Sequence, residues 1–250
     1  MHVREAVVKV PAVTLGFWII KVLSTTLGET AGDTLSMTYD LGYLASSAIF
    51  IVPLVVLITA QTLARHFQPA LYWATIIAST TAGTTMADFA TRSLGIGYFG
   101  GSILLFGLVL SALAAWRMTT GTVAVDSVAN TRSELFYWVT ITFSQTLGTA
   151  LGDWAADDGG LGYLGGALTF GSILLVIYLL YRFTPLSRVA LFWSAFILTR
   201  PLGATVGDFL DKPLDHGGLD FSRPVASAVL ALAIVGLIIR GQRNTAKSAT

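Results

Sequence analysis

The sequence contains no cysteine, few histidines and few charged residues, and each shortage excludes a class of protein. The absence of cysteine rules out disulfides, thiolate metal sites and cysteine nucleophiles. Its histidines, at positions 2, 66 and 216, lie outside the apolar segments, so a site for a soft metal such as Cu(I) or Zn is disfavoured. A net charge of +1 is too small for a nucleic-acid-binding surface, which needs clustered Lys and Arg. No phosphate-binding glycine loop or nucleophile–base set is present, so we expect no enzyme.

Long apolar runs set the protein class. Hydrophobic residues make up 54% of the chain and charged residues only 12%, against about 25% in ordinary soluble domains. The mean hydropathy of +0.72 is too high for a fold with a fully solvated surface. The composition therefore predicts a polytopic membrane protein whose main partner is the lipid bilayer, with no resident cofactor.

One pattern is written four times along the chain. Each copy begins at a Trp and ends 15 residues later at an Asp: Trp18 and Asp33, Trp73 and Asp88, Trp138 and Asp153, Trp193 and Asp208. Small residues stand ten and 14 positions after each Trp: Gly28 and Gly32, Gly83 and Ala87, Gly148 and Gly152, Gly203 and Gly207. Four gapless copies establish an internally repeated protein. Small residues spaced by four let helices approach closely, so we expect these to be packing residues.

Each repeat holds two apolar segments long enough to span a membrane. This predicts an all-α membrane protein with eight transmembrane helices, arranged as four two-helix repeats in a single domain over residues 1–250. The repeats cover approximately residues 12–66, 67–120, 132–186 and 187–240, and a polar linker over 117–134 separates two halves. Because each repeat contributes an even number of spans, all four insert in the same direction and are parallel repeats.

The distribution of Lys and Arg predicts the orientation. Ten of them lie in the termini and between repeats, including Arg4 and Lys247, whereas three lie in the loops inside repeats. The positive-inside rule therefore places both termini in the cytoplasm and the Asp of each repeat toward the outside. In this arrangement the four Trp side chains are expected to be interfacial anchors.

Positions 8, 11 and 15 after each Trp share one helix face and carry oxygen-bearing side chains. In the first three repeats they are Thr26, Glu29 and Asp33; Thr81, Thr84 and Asp88; Thr146, Thr149 and Asp153. The fourth repeat keeps only Asp208. Carboxylates and hydroxyls suit hard cations, so the five acids are candidate metal or proton sites and the threonines are secondary ligands. The alternative is that each Asp caps the loop that follows it.

Two basic residues break the symmetry of the repeats. Lys21 and Arg200 stand inside the first and last copies of the pattern. We expect them to balance the charge of Glu29, the one acid without counterparts in the other repeats. A buried ion pair that fixes helix register is the alternative role.

The four two-span repeats, each keyed by a Trp and ending in G-x-x-x-(G/A)-D, resemble a family of bacterial integral membrane proteins of unknown activity. The resemblance covers residues 12–240 and implies a bacterial inner-membrane location and eight helices. With the acids, it favours a transporter or exporter of a small cation, foremost a hard divalent metal such as manganese. A proton-coupled solute transporter, an ion channel and a non-transporting scaffold are the alternatives.

Overall fold

Eight long α-helices and no β-strand make up the part of the chain that the structure describes. It is a computed structural model that describes the backbone of residues 8–248 and the side chains of residues 8–243. His2, Arg4 and the side chain of Lys247 lie outside that description. The helices are α1 (Leu15–Asp33), α2 (Gly42–Leu63), α3 (Pro69–Asp88), α4 (Gly97–Thr120), α5 (Thr131–Asp153), α6 (Gly162–Phe183), α7 (Arg188–Asp211) and α8 (Arg223–Ser248).

The first helix of each repeat begins at a residue suited to starting a helix. The Thr14 hydroxyl accepts a hydrogen bond from the Phe17 backbone N–H, and the Asn130 side chain accepts one from that of Ser133. Ser187 caps α7 in the same way, while α3 begins with Pro69, whose missing N–H costs nothing in a first turn. Local sequence therefore fixes where these four helices begin.

Helices α1, α3, α5 and α7 form a closed ring around a common axis. Each packs against two others in the order α1, α3, α5, α7 and back to α1. The repeated Trp residues gather at one end of this ring and the repeated Asp residues at the other, so the four helices run parallel. We call these the Trp end and the Asp end, and the four helices the inner ring.

The second helix of each repeat lies outside the ring and packs mainly on the inner helix of the next repeat. Thus α2 packs on α3, α4 on α5, α6 on α7, and α8 returns to α1. Their other faces expose large apolar side chains such as Val52, Leu104, Leu175 and Leu232. Such a continuous apolar exterior suits contact with lipid.

Five helices are long and apolar enough to cross a membrane, namely α2, α4, α6, α7 and α8. The inner helices α1, α3 and α5 fall short of that hydropathy because their buried faces carry hydroxyl and charged side chains. The chain is therefore a multi-pass membrane protein by the apolarity of five described helices. Its polar residues are sheltered within the inner ring.

The repeated glycines lie where neighbouring inner helices touch. A Cβ atom at each glycine ten positions after the Trp would press against the residue seven positions after the Trp of the next repeat, with outright overlap at three of the four and a tight contact at Gly83. The four pairs are Gly28 with Thr80, Gly83 with Gln145, Gly148 with Arg200, and Gly203 with Thr25. The same glycine contact thus recurs at all four interfaces of the ring, including the one between the last repeat and the first.

A π-helical turn follows the Asp in each of the first three repeats, over Thr34–Thr38, Phe89–Ser93 and Trp154–Asp158. The Asp side chains make no capping hydrogen bond to these turns, so capping is not their role. The outer helix then begins at a glycine with positive φ, such as Gly42 at +72° and Gly97 at +73°. Glycine adopts this backbone with the least strain, which accounts for the glycine in the sequences LGY, IGY and LGY at residues 41–43, 96–98 and 161–163.

Three of the four repeated Trp side chains are packing residues inside the protein, which corrects their expected position in the lipid interface. Trp73, Trp138 and Trp193 are at most 4% exposed, and Trp18 packs at the edge of the same cluster. An aromatic residue precedes each of them, so eight rings seal the Trp end: Phe17, Trp18, Tyr72, Trp73, Tyr137, Trp138, Phe192 and Trp193. The three buried indoles therefore pack within the protein and not among lipid headgroups.

The segment before α1 and the linker between the halves together cover the Trp end. The backbone N–H of Lys9 donates to the carbonyl of Val128, and the Trp193 indole N–H donates to the carbonyl of Val123. The Lys9 ammonium lies 2.7 Å from the Glu134 carboxylate. These contacts join the segment before α1 and the linker to the third and fourth repeats at this end.

Candidate functional site

In each repeat, four residues spaced by four face the axis of the inner ring, beginning three residues after the Trp. Positions 3, 7, 11 and 15 build four layers from the Trp end to the Asp end, and all their side chains are buried. The layers are Lys21, Ile76, Ile141 and Phe196; Thr25, Thr80, Gln145 and Arg200; Glu29, Thr84, Thr149 and Ala204; and Asp33, Asp88, Asp153 and Asp208. The interior is therefore apolar and basic near the Trp end and acidic at the Asp end.

Contacts between helices on opposite sides of the ring show that the layers meet at the axis. The Lys21 ammonium on α1 lies 3.4 Å from the Gln145 side-chain oxygen on α5. One terminal nitrogen of Arg200 on α7 lies 2.6 Å from the Thr84 hydroxyl on α3. Neither pair belongs to neighbouring helices of the ring, so both contacts cross its centre.

The fourth layer consists of two ion-paired halves. Arg92 follows Asp88 by four residues, lies 3.0 Å from its carboxylate and reaches Asp153 of the next repeat at 3.3 Å. Lys212 follows Asp208 by four residues and lies 2.9 Å from both Asp208 and Asp33 of the first repeat. An approximate twofold symmetry, which relates repeats one and two to repeats three and four, also relates these two halves.

Both basic residues lie beyond the last turns of their helices and remain charged. Burial disfavours the ammonium of Lys212, but Asp208, Asp33 and Asp211 outweigh it and raise the pKa of Lys212 well above its usual value. Burial likewise opposes the charge of Arg92, and Asp88 with Asp153 more than compensates, which raises the pKa of Arg92. Each acts as a fixed positive charge shared by two carboxylates.

Arg200 of the second layer contacts three acceptors of the third layer with one terminal nitrogen. That nitrogen lies 2.8 Å from the Glu29 carboxylate and donates to the hydroxyls of Thr84 and Thr149. Glu29 is thus paired with Arg200, one of the two basic residues expected to balance it. Lys21, the other, lies instead over the ring of Phe196, with its nitrogen 4.2 Å from the ring centroid.

Three carboxylates from two neighbouring helices come close enough to hold one cation. One oxygen from each of Glu29, Asp33 and Asp208 lies within 4.8 Å of the others, and all three residues are buried. Asp33 Oδ1, the oxygen that is not bonded to Lys212, has no hydrogen-bond partner among the described residues. Oxygen–oxygen separations of this size suit a cation whose ligands lie about 2.3–2.6 Å from it.

The other two repeated acids do not join this group. Asp88 and Asp153 were expected to share a cation pathway with the other acids, but the structure pairs them with Arg92 in the opposite half of the layer. The carboxylate group therefore consists of Glu29, Asp33 and Asp208, without fourfold symmetry. The asymmetry arises because only the first repeat has an acid in the third layer.

The threonines expected as secondary ligands divide into two groups. Thr84 and Thr149 lie in the third layer and accept from Arg200. Thr26, Thr81 and Thr146 each donate the hydroxyl to a carbonyl one turn earlier in their own helix and, among the described residues, make no hydrogen bond to Arg200 or to the acids. The inward face is therefore spaced by four residues, and position 8 after the Trp lies off it.

Three residues of the site were not predicted from the sequence, namely Arg92, Lys212 and Gln145. The first two had a signal, because an acid followed four residues later by a base on a helix indicates an ion pair. Gln145 had a weaker one, since it occupies the repeat position of Arg200. Their partners in other repeats follow only from the order of helices round the ring.

Comparison with known proteins identifies the repeat. The family described as Repeat of Unknown Function (DUF347) matches residues 16–67, 71–122, 136–185 and 191–243. No curated protein and no solved structure matches the chain. The four matched segments coincide with the four inner–outer helix pairs, which confirms the tandem repeats expected from the Trp-to-Asp pattern. The chain therefore belongs to the DUF347 repeat family and consists of four copies of its repeat.

Proposed function

We propose that this protein is a transporter of a small hard cation in the bacterial inner membrane. All eight helices cross the bilayer, both termini are cytoplasmic, and the Asp end faces outward. The observation that supports this most is the buried carboxylate group of Glu29, Asp33 and Asp208. Carboxylates inside a membrane protein are costly, and here one ammonium is shared between Asp33 and Asp208, so the concentration of three acids at one place favours a functional role.

The ligand chemistry favours a divalent ion over a soft metal. The group offers carboxylate oxygens, with the Thr84 hydroxyl 3.5 Å from Glu29, and no sulfur or imidazole. Mn²⁺, Mg²⁺ and Ca²⁺ prefer such oxygen ligands. Manganese is therefore a first candidate among several ions of this class.

Charge balance supports an exchange between the ion and Lys212. This ammonium bridges two of the three carboxylates and is partly accessible from the Asp end, with 12% of its side chain exposed. A cation that enters from that end competes with Lys212 for Asp33 and Asp208. When the ion leaves, Lys212 returns and keeps the carboxylates paired, as buried acids require.

The basic residues on the other side of the carboxylates favour a carrier over an open channel. Arg200 and Lys21 are fully buried between the carboxylate group and the Trp end. A cation moving straight along the axis would meet two fixed positive charges in a medium of low dielectric constant. The aromatic cluster closes the same route, so transport requires rearrangement of the inner helices.

Flux into proteoliposomes tests the proposal. Wild-type protein should move at least one of Mn²⁺, Mg²⁺ and Ca²⁺, and the Asp33→Asn/Asp208→Asn variant should lose that flux. The control is the double variant Asp157→Asn/Asp158→Asn, which removes the same formal charge from two exposed acids at the same end. Wild-type vesicles that move none of these ions would overturn the cation proposal and favour the scaffold interpretation.

A further inference from the structure

The first and second layers contain N–H donors without acceptors. Nε and the second terminal nitrogen of Arg200 have no hydrogen-bond partner among the described residues, and neither does the side-chain nitrogen of Gln145. The Lys21 ammonium, which can donate three hydrogen bonds, has one long contact of 3.4 Å with Gln145. All three side chains are fully buried. Buried polar groups are normally paired, so this concentration of free donors calls for an acceptor.

The same place carries excess positive charge. Lys21 and Arg200 occupy adjacent layers of the inner ring, and both are fully buried. Glu29 pairs with Arg200 through the nitrogen that faces the third layer, and among residues 8–243 no carboxylate forms an ion pair with Lys21. Two buried cations therefore share one carboxylate. Such an arrangement is strongly unfavourable unless Lys21 gives up its proton or a negative charge compensates it.

We propose that Lys21, Gln145 and Arg200 form a binding site for a small monovalent anion such as chloride. The donors come from α1, α5 and α7, three helices of the inner ring, and converge on its axis. A monovalent anion balances the one excess charge and accepts from all three side chains. It binds on the Trp side of Arg200, away from the carboxylate group.

The surroundings favour an ion of small size. The ring of Phe196 covers one side of the Lys21 ammonium at 4.2 Å, and Ile76 and Ile141 complete the first layer. An apolar wall on one side and N–H donors on the other suit a halide or formate. Gluconate, a large polyhydroxylated anion, is excluded by the same close packing.

Thermal unfolding of the purified protein in detergent provides the test. Midpoints are compared in sodium chloride, bromide, formate and gluconate at equal sodium concentration. An anion that binds the folded protein alone stabilises it in proportion to the logarithm of its concentration above Kd, so the midpoint should rise with chloride relative to gluconate. Equal midpoints in all four salts would overturn the proposal and leave water as the acceptor.

Two variants locate the effect. Lys21→Met removes a donor and the excess charge, and Gln145→Glu supplies a tethered negative charge, so both should lose the chloride-dependent rise. Arg182→Gln removes one positive charge from an exposed surface and should keep it. A rise of wild-type size in both inner variants would assign the effect to the surface and contradict the site. If neither variant folds, anomalous scattering from a bromide-soaked crystal of the wild type decides, by a peak beside Lys21 or its absence.

Discussion

The Lys212 ammonium lies 2.9 Å from the Asp33 carboxylate and thereby joins the last repeat to the first. The equivalent contact between Arg92 and Asp153 joins the second repeat to the third. At the Asp end, buried ion pairs thus connect neighbouring inner helices at two of the four helix–helix interfaces of the ring. The other two interfaces have no base four residues after the Asp.

Removing Lys212 alone should lower the free energy of unfolding more than removing Lys212 together with the charges of its two acids. Lys212→Met leaves Asp33 and Asp208 without their shared cation, and loss of one partner of a buried pair costs about 3–5 kcal/mol. The triple variant Lys212→Met/Asp33→Asn/Asp208→Asn should be more stable than Lys212→Met alone. Thermal unfolding in detergent measures both. A triple variant less stable than the single one would show that the carboxylates are stabilised by other contacts.

Adding one methyl group at a ring glycine should be harmful, whereas the same change on an outer helix should not. Gly148→Ala places a Cβ against the Arg200 side chain, and overpacking of this kind costs about 1–3 kcal/mol. Gly107 lies in α4 with open space around it, so Gly107→Ala should be neutral or stabilising by up to about 1 kcal/mol. Equal unfolding midpoints for the two variants would refute the packing role of the ring glycines.

Loss of the hydroxyl that faces the axis should weaken both folding and transport. Thr84→Val removes one acceptor from the buried Arg200, which costs about 1–3 kcal/mol, and should lower cation flux several-fold. Thr81→Val has the same chemistry but affects a hydroxyl that bonds its own helix, so flux should stay near wild type. Flux and unfolding midpoint are measured for both variants in parallel. If the two variants behave alike, Thr84 has no special place in the site.

The contact between Lys9 and Glu134 should hold the segment before α1 against the Trp end. Lys9→Met leaves Glu134 buried and unpaired, with neither of its oxygens hydrogen-bonded, and should lower the unfolding midpoint. Glu134→Gln in the same chain should restore part of that loss. Limited proteolysis of the segment reports its release directly. A segment that resists cleavage equally in wild type and Lys9→Met would mean that the backbone contact with Val128 suffices.

The repeat pattern predicted most of the fold but less of the site. Glycine spacing predicted close packing of the inner helices, and the even number of spans in each repeat predicted their parallel order. The Trp side chains were misplaced, because a Trp near a predicted membrane boundary suggests a lipid anchor. The aromatic residue before each one, as in Phe17 and Tyr72, was the neglected sign that these rings pack together.

The site was found in part because its residues depend on contacts between repeats. Glu29 and Arg200 stood out by breaking the repeat, and they do form a pair. Thr26 was placed on the inward face by a spacing of 3 and 4 residues, whereas the face in the ring follows a spacing of 4 throughout. Whether Asp33 meets Lys212 or Arg92 depends on which repeats are neighbours, and a single sequence does not contain that order.

The return of α8 to α1 has a consequence for synthesis of the chain. The first helix is made at the start but receives two of its three helix neighbours, α7 and α8, last. Arg200, Lys212 and the Ser227 hydroxyl, which lies 2.8 Å from that of Thr30, all belong to the fourth repeat. Until translation is nearly complete, Glu29 and Asp33 have no basic side chain of the fourth repeat beside them. A ribosome that stops before α8 thus releases a chain whose defect lies at its beginning, where quality-control proteases and chaperones would find it.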